Sequence, residues 1–415
     1  MEKQNILVVC WDFPPNNSIG GRRWAKISKS FLKLGHSVSV IATTPIEYSQ
    51  KSAWISPEDL SKIKLYYCPG NLLERWLNDY NSPLRFFRIR FAKLLLKLLY
   101  GGTIFDKAIG VQDKFIAIAR EVIKNDKIHT LFVTGTPFNL LYYSALLKKE
   151  FQDLRIVADY RDPWLGAQNY GMQTLSPARK NFEIKKQNYV FEHVDYVCAP
   201  NPVLLQEIKN TYTGSENRLA EFIELPHAFD PDDVVPARSG EGSSGKIKII
   251  YAGTVYLGIE KYLRFLNEAI AYVKQKGPGL AIELSFYTYQ KEQESIFSDN
   301  RDLVKFSDSI GDGVFKIARS SDFILILLSE HNKNYVTSKF FEFLPYQKPY
   351  LYVGPPGLVS DKIVNEGLGY YLKQKEDLYH VLTSADRLQP SGASIEKYSF
   401  DAVTKNLLKV VNSCS

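Results

Sequence analysis

The chain has 415 residues, 45% apolar and 23% charged, enough apolar material for two cores and too much for a disordered polymer. A net formal charge of +7 suits anionic ligands or an anionic surface, but it is too sparse for a dedicated nucleic-acid binder, and no RNA- or DNA-reading motif accompanies it. The four cysteines, Cys10, Cys68, Cys198 and Cys414, form no C-x-x-C pair, so neither a zinc site nor a redox dithiol is indicated.

The N-terminal apolar run Ile6–Cys10 is broken by Trp11 and Asp12 and is too short for a signal peptide. No stretch of about 18 uncharged apolar residues follows anywhere. Together these predict a cytoplasmic chain. Ile6–Cys10, Val38–Ala42, Thr130–Thr134, Arg155–Asp159 and Val194–Ala199 are short, β-branched and almost continuously apolar, as strands buried on both faces are. Helical spacing over Arg23–Leu34 and Phe115–Lys124 alternates with them. That rhythm predicts a parallel α/β sheet.

Such sheets bind ligands off the carboxyl ends of their strands, so residues just after each strand are the informative ones. After the first strand come Gly20, Gly21, Arg22 and Arg23. Two glycines allow close backbone approach to a ligand, the following helix offers amides to an anion, and the arginines add positive charge. After Arg155–Asp159 come Tyr160, Arg161, Asp162, Pro163 and Trp164. Asp162 or Asp159 can accept a hydrogen bond from a sugar hydroxyl, and Trp164 can stack on a pyranose ring. Leu84–Tyr100 reads LRFFRIRFAKLLLKLLY, with Arg85, Arg88, Arg90, Lys93, Lys97 and no acid. A basic amphipathic helix of this kind lies on anionic lipid.

His227 lies in Leu225–Asp230, which closes this unit. The Gly-, Ser- and Pro-rich segment 231–246 reads as a linker. The α/β rhythm then restarts, with strands at Ile247–Ala252, Ile282–Tyr287, Val304–Phe306, Phe323–Leu328 and Tyr350–Val353. Helices fall at Ile259–Lys274, Ser338–Leu344 and Phe400–Val411. Gly253 and Thr254 follow the first of these strands, and Thr254 can reach a phosphate or a nucleobase.

The densest pattern is Val336–Leu344, VTSKFFEFL. Thr337 or Ser338 is a good N-cap, and the amides behind it suit a diphosphate. Lys339 in the first turn opposes the helix dipole unless an anion is present. Glu342 shares its face and can take both hydroxyls of a ribose. The apolar neighbours Phe340, Phe341, Phe343 and Leu344 argue against a fully exposed ion pair.

Taken in order, these motifs resemble the large family-4 group of glycosyltransferases over nearly the whole length. They are the Gly-Gly-Arg segment, Asp-Tyr-Arg-Asp-Pro-Trp, Pro-His-Ala-Phe-Asp, Tyr-Ala-Gly-Thr, and Ser-Lys-Phe-Phe-Glu-Phe-Leu followed by Gln347-Lys348-Pro349. Ser-Lys-Phe-Phe-Glu-Phe-Leu resembles the group's K-x-x-E-Y-L donor motif, and Gln347-Lys348-Pro349 its usual G-K-P. The resemblance implies the GT-B fold: two Rossmann-like parallel-sheet domains facing across a cleft, with the last helix crossing back to the first domain. It implies an acceptor domain at 1–230, a linker at 231–246, a nucleotide-sugar domain at 247–395 and a returning helix at 396–415.

It also implies retention of anomeric configuration, no metal or other cofactor, and a nucleotide-diphosphate sugar, UDP-linked by expectation, as co-substrate. The acceptor would be a glycan or lipid-linked hydroxyl in cell-surface polysaccharide synthesis. Donor-binding residues would be Gly20, Gly21, Gly253, Thr254, Asn334, Thr337, Ser338, Lys339 and Glu342; acceptor-binding residues would be Arg22, Arg161, Asp162 and Trp164. Lys339, Asp162 and His227 would be the catalytic candidates. The sequence departs from the group at two places. Asn334 stands where many members carry a glutamate eight positions before the later one. Thr254 and Ile259 stand where many carry arginine and lysine, leaving Lys261 or Lys339 to supply the charge. A nucleotide-sugar 2-epimerase and a non-catalytic partner subunit of the same fold are the alternative readings.

Overall fold

The structure is a computed structural model that describes all residues except 1, 18, 46–51, 53, 74–75, 77–83, 101–105, 167–174, 216–218, 235–244, 256–257 and 414–415. Most of the segment read as a linker, and Cys414, therefore lie outside the described residues. The chain packs as two compact units, Met1–Pro226 with Thr404–Ser415, and His227–Val403.

In the first unit the strands are β1 (Asn5–Val9), β2 (Ser37–Thr43), β3 (Lys64–Cys68), β4 (Thr130–Gly135), β5 (Arg155–Tyr160), β6 (Tyr196–Ala199) and β7 (Glu221–Glu224). They form one seven-stranded sheet in the order β3-β2-β1-β4-β5-β6-β7. Every pairing is parallel, and β1 is held on both sides, Val8 opposite Val40 and opposite Phe132. The helices are α1 (Ile19–Lys33), α2 (Pro57–Ser61), α3 (Arg85–Tyr100), α4 (Gln112–Asn125), α5 (Asn139–Leu146), α6 (Pro177–His193) and α7 (Pro202–Lys209). On α1, Trp24, Ile27 and Phe31 recur at helical spacing and are fully buried. The rings of Trp24 and Phe31 lie 5.5 and 5.2 Å from that of Phe132 on β4. This aromatic seam fixes α1 over the centre of the sheet.

In the second unit the elements are β8 (Ile247–Ala252), α8 (Glu260–Lys276), β9 (Ile282–Tyr287), β10 (Val304–Ser307), α9 (Val314–Ser320), β11 (Phe323–Leu327), α10 (Ser338–Phe343), β12 (Tyr350–Val353), α11 (Leu358–Asn365), β13 (Gly369–Tyr371), α12 (Lys375–Thr383) and α13 (Gly392–Glu396). Its six strands run in the order β10-β9-β8-β11-β12-β13, again all parallel. Both sheets thus reverse direction of growth beside their first strand, the doubly wound Rossmann arrangement. The switch points lie between β1 and β4 and between β8 and β11.

The segment after Pro226 packs in the second unit: Phe229 donates its N–H to the Tyr398 carbonyl at 3.0 Å, and Phe400 N–H returns to the Phe229 carbonyl at 2.8 Å. The last helix, α14 (Phe400–Ser413), starts there and ends in the first unit. Asn412 Oδ1 accepts from Gln4 Nε2 and from Arg155 Nη1, each at 3.0 Å, and the Val410 carbonyl accepts from Tyr196 at 3.3 Å. These partners stand at the starts of β1, β5 and β6, so α14 packs at the amino edge of that sheet. Among the described residues no helix is long and apolar enough to cross a membrane.

Candidate functional site

In the second unit, α10 begins at Thr337, whose backbone is extended (φ −69°, ψ 159°) and whose side chain makes no cap bond. Thr337 therefore holds the N-cap position without spending its hydroxyl there. Phe340, Phe341 and Phe343 are buried around the helix, and Phe340 accepts a hydrogen bond at its carbonyl from Tyr350 Oη. Between them Glu342 is drawn inside, its side chain only 3% exposed, and it takes Lys339 Nζ on Oε2 at 2.7 Å. Lys339 keeps 35% of its side-chain surface and sits 4.6 Å over the Phe315 ring. With one partner almost wholly buried, this is no surface pair.

The loops that lead into α10 and α11 approach each other. A Cβ on Gly357, which precedes α11, would lie 3.5 Å from the Lys333 carbonyl oxygen and 3.6 Å from Asn334 Oδ1. Ser338 and Asn334 are half-buried, and Thr254 is exposed after β8. Gly253 donates its N–H to the Tyr287 carbonyl at 3.2 Å, and Tyr251 Oη donates to the Thr254 carbonyl at 2.7 Å, so the backbone of this turn is fixed. His227 is half-buried, its ring 6.4 Å from that of Phe341.

At the β8/β11 switch point Lys261 meets two residues the motifs did not single out, Tyr262 and Glu330. Glu330 Oε1 accepts from Lys261 Nζ at 2.9 Å and Tyr262 Oη at 2.8 Å. The hydrogen bond from Lys261 holds the Glu330 carboxyl below its ordinary range, and the same bond raises the Lys261 ammonium. Lys261, one source suggested for the missing charge, is thus already paired. Ser329 beside it is fully buried, with no hydrogen-bond partner for its hydroxyl among the described residues. Gly258, at φ +79°, passes 3.5 Å (as a Cβ) from His331, where an L side chain would be strained.

In the first unit, Gly20 and Gly21 lie inside the first turn of α1, one step later than a loop before the helix. A Cβ on Gly21 would stand 2.1 Å from the Asp12 carbonyl oxygen, so this glycine serves contact between α1 and the β1 loop. A Cβ on Gly20 would meet the Arg161 guanidinium at 3.1 Å. Arg161 Nε donates to the Gly135 carbonyl at 3.1 Å, which ties the loops after β4 and β5 to the start of α1. Lys107 Nζ joins both oxygens of Asp12 at 3.0 Å. Cys10, beneath this cluster, is buried, and burial pushes its thiol up to about 12. Arg22, Arg161 and Asp162 are half-buried at this edge.

Three expectations are corrected here. Arg23 is 5% exposed and cannot serve a ligand: its guanidinium donates to the carbonyls of Leu225 and, at 2.9 Å, Pro226, and lies 3.4 Å from Asp159 Oδ2. Asp159 is fully buried and accepts from Trp24 Nε1 at 2.7 Å, so it is not placed to meet a hydroxyl. Trp164 offers no face to a sugar. It is 2% exposed, its ring stacks on Phe138 at 5.5 Å and 9°, and its Nε1 donates to Glu183 Oε2 at 3.1 Å. Glu183 is paired with Arg179 at 2.5 Å, and Lys186 donates to Asn139 Oδ1 at 2.5 Å. This buried polar set anchors the Asp162 loop from below. No group of three or more His, Cys, Asp or Glu arranged for a metal occurs among the described residues.

No protein-family model and no curated protein sequence matches the chain. Solved structures do. A glycosyltransferase from Rickettsia africae matches with TM-score 0.59 and 15% identity over 99% of this chain and 98% of that one. The trehalose-6-phosphate structure from E. coli bound with UDP-2-fluoroglucose gives 0.59 and 10% over 99% of both chains. A structure assigned as UDP-N-acetylglucosamine 2-epimerase from Listeria monocytogenes gives 0.50 and 11% over 100% and 97%. At these identities the likeness is one of fold. With two parallel sheets in Rossmann order along one chain, and near-complete coverage of these enzymes, the protein has the GT-B fold.

Proposed function

We propose that the chain is a nucleotide-sugar-dependent glycosyltransferase, with the donor on the second unit and a glycan or lipid-linked acceptor on the first. The observation that carries this reading is the buried Glu342 beside Lys339 in α10. A fold gains nothing obvious from sinking a carboxylate among three phenylalanines, since a hydrophobic residue there packs as well or better. A donor site does gain. A carboxylate is the side chain that accepts from both hydroxyls of a ribose, and one set in the helix beside a lysine is placed for a nucleotide's sugar and phosphate together.

Retention without a metal needs leaving-group stabilisation above all. Cleavage of the sugar–phosphate bond builds negative charge on the diphosphate, and fixed donors that are already oriented stabilise it without reorganising. Lys339 supplies a cation in the first turn of α10. Amides around Thr337 and Ser338, with Asn334, Gly253 and Thr254, complete the donor contacts of the second unit in this reading. Arg22, Arg161 and Asp162 face the acceptor at the carboxyl edge of the first sheet; His227 and Asp162 are the remaining catalytic candidates. A UDP-sugar is the donor of choice, consistent with the resemblance. Cell-surface polysaccharide synthesis at the cytoplasmic face of a membrane is the setting that fits.

The test is a thermal-shift screen of UDP-, GDP- and ADP-sugars. A ligand that binds only the folded chain raises its midpoint by mass action. One nucleotide is expected to give a clear shift that Glu342→Ala abolishes; equal shifts in both proteins overturn the ribose assignment. Incubation of the shifting donor with and without an acceptor panel then separates the readings. Turnover that requires acceptor is transfer, epimerised donor without acceptor is the isomerase, and binding with no turnover is the non-catalytic subunit.

A further inference from the structure

The helix α3 is the least satisfied element of the first unit. Ala92 and Leu96 are buried at 0% and 1%, and mark the face it turns to the protein. Leu84, Phe87, Phe91, Leu94 and Leu98 follow at steps of three and four, which makes one continuous stripe. All five are between 50% and 76% exposed. At about 100° per residue the stripe points well over a right angle away from the buried face. Phe86 and Leu99 flank it, also exposed, and the Trp76 ring lies 5.8 Å from that of Phe91. Single exposed leucines need no explanation; a contiguous row of this kind marks an interaction surface.

The charge pattern says what that surface meets. Arg90, Lys93 and Lys97 line one flank of the stripe, exposed, with no ion pair among the described residues. Arg88 is half-buried on the other side, Arg85 is half-buried towards the face of Ala92 and Leu96, and the helix carries no acid. An apolar ridge bordered by cations is complementary to anionic headgroups over acyl chains.

Topology says what this would achieve. In the chain, α3 lies between β3, which ends at Cys68, and α4, which starts at Gln112. The segment before α4 is pinned at the carboxyl edge: Lys107 binds Asp12 after β1, Asp106 Oδ2 accepts the Asn139 N–H at 3.1 Å, and the Ala108 carbonyl accepts from Tyr143 Oη at 3.1 Å. The point six residues past the end of α3 is thus fixed at the edge that carries Arg161 and Asp162.

We infer that α3 docks the first unit on an anionic lipid surface and holds its carboxyl edge beside that surface, so that the acceptor is presented from lipid. The last clause rests on the transferase reading; the docking does not. The experiment is flotation of the full chain with vesicles of phosphatidylcholine, and of phosphatidylcholine mixed with phosphatidylglycerol, at low and high salt. Wild type floats with the mixed vesicles at low salt. Each cation near the surface changes affinity roughly fivefold, so joint change of Arg90, Lys93 and Lys97 to Gln lowers it about a hundredfold. Joint change of Phe87, Phe91, Leu94 and Leu98 to Ser abolishes flotation. Failure of wild type to float, or equal flotation of the Gln variant, overturns the inference. So does a concentration-dependent dimer that the Ser variant dissolves, because the stripe would then belong to a second copy. Both variants keep the wild-type shift with the nucleotide sugar, which reports an intact fold. Flotation without any nucleotide shift sinks the transferase reading and leaves the docking standing.

Discussion

The carbonyl oxygen of Asp12 occupies the space that a Cβ on Gly21 would need, 2.1 Å from where that atom would stand. Both atoms belong to backbone, one in the loop after β1 and the other in the first turn of α1, so neither can yield by changing rotamer. Gly21→Ala must push helix and loop apart, at an expected cost of about 1–3 kcal/mol or more. Gly20 differs, because its would-be neighbour is the end of the Arg161 side chain. Gly20→Ala should keep the fold, and can gain roughly 0.5–1 kcal/mol from replacing a helical glycine. Urea midpoints compare the two; equal loss in both variants would show that the Asp12 contact is not what constrains this turn.

Glu342 and Lys339 can be separated by a double-mutant cycle. Lys339→Met leaves a buried carboxylate without its cation. Breaking a fully buried pair costs about 3–5 kcal/mol, and the one-third exposure of Lys339 reduces the expectation to about 1–3 kcal/mol. Glu342→Gln removes the charge and keeps the shape, so adding it to Lys339→Met should restore much of the loss. Donor binding behaves otherwise: it falls in all three variants and the double variant does not recover it. Recovery of both properties together would reduce the pair to a structural role.

The interior strands were legible in the sequence because burial on both faces makes them continuously apolar. The edges β3, β7 and β13 were not. β3 (KLYYC) and β7 (EFIE) are partly exposed along most of their length, and β13 has only three residues. The helix α6 was hidden for a related reason: its inward face is Glu183, Lys186, Gln187, Val190 and Phe191, so the spacing is helical but most of the residues are polar. Glu342 and Lys339 were readable because their conflict with apolar neighbours and with the helix dipole is local. Trp164 was misread because no local signal distinguishes a tryptophan that stacks on Phe138 from one that stacks on a ligand.

Asp126, the C-cap of α4, gives an acid-dependent test. It accepts from Ser39 Oγ at 2.6 Å, Lys64 Nζ at 2.5 Å and Tyr66 Oη at 3.0 Å, which ties α4 to β2 and β3. Burial pushes its carboxyl up, but these hydrogen bonds outweigh it and hold the group below its ordinary value. A depressed folded pKa contributes stability that is fully present above the unfolded value of about 3.9 and is lost as pH falls through the folded one. Wild type should thus exceed Asp126→Asn in stability at neutral pH, with the gap closing only below about pH 4. A gap that is independent of pH would assign the effect to packing.

Trp164→Phe decides between the two uses of that residue. Phenylalanine preserves the stack on Phe138 but removes the donor to Glu183, which is 4% exposed and would be left short of a partner in a dry site. An unsatisfied buried acceptor costs about 1–3 kcal/mol, more when charged. The variant should therefore melt earlier, and pairing it with Glu183→Gln should recover part of the loss, because a neutral amide demands less. A sugar platform predicts the reverse: an unchanged melt and a raised acceptor KM, with no response to Glu183. The loop bearing Asp162 is held by this bond, so some fall in kcat is consistent with positioning. A raised KM at full stability is not, and would return Trp164 to the acceptor site.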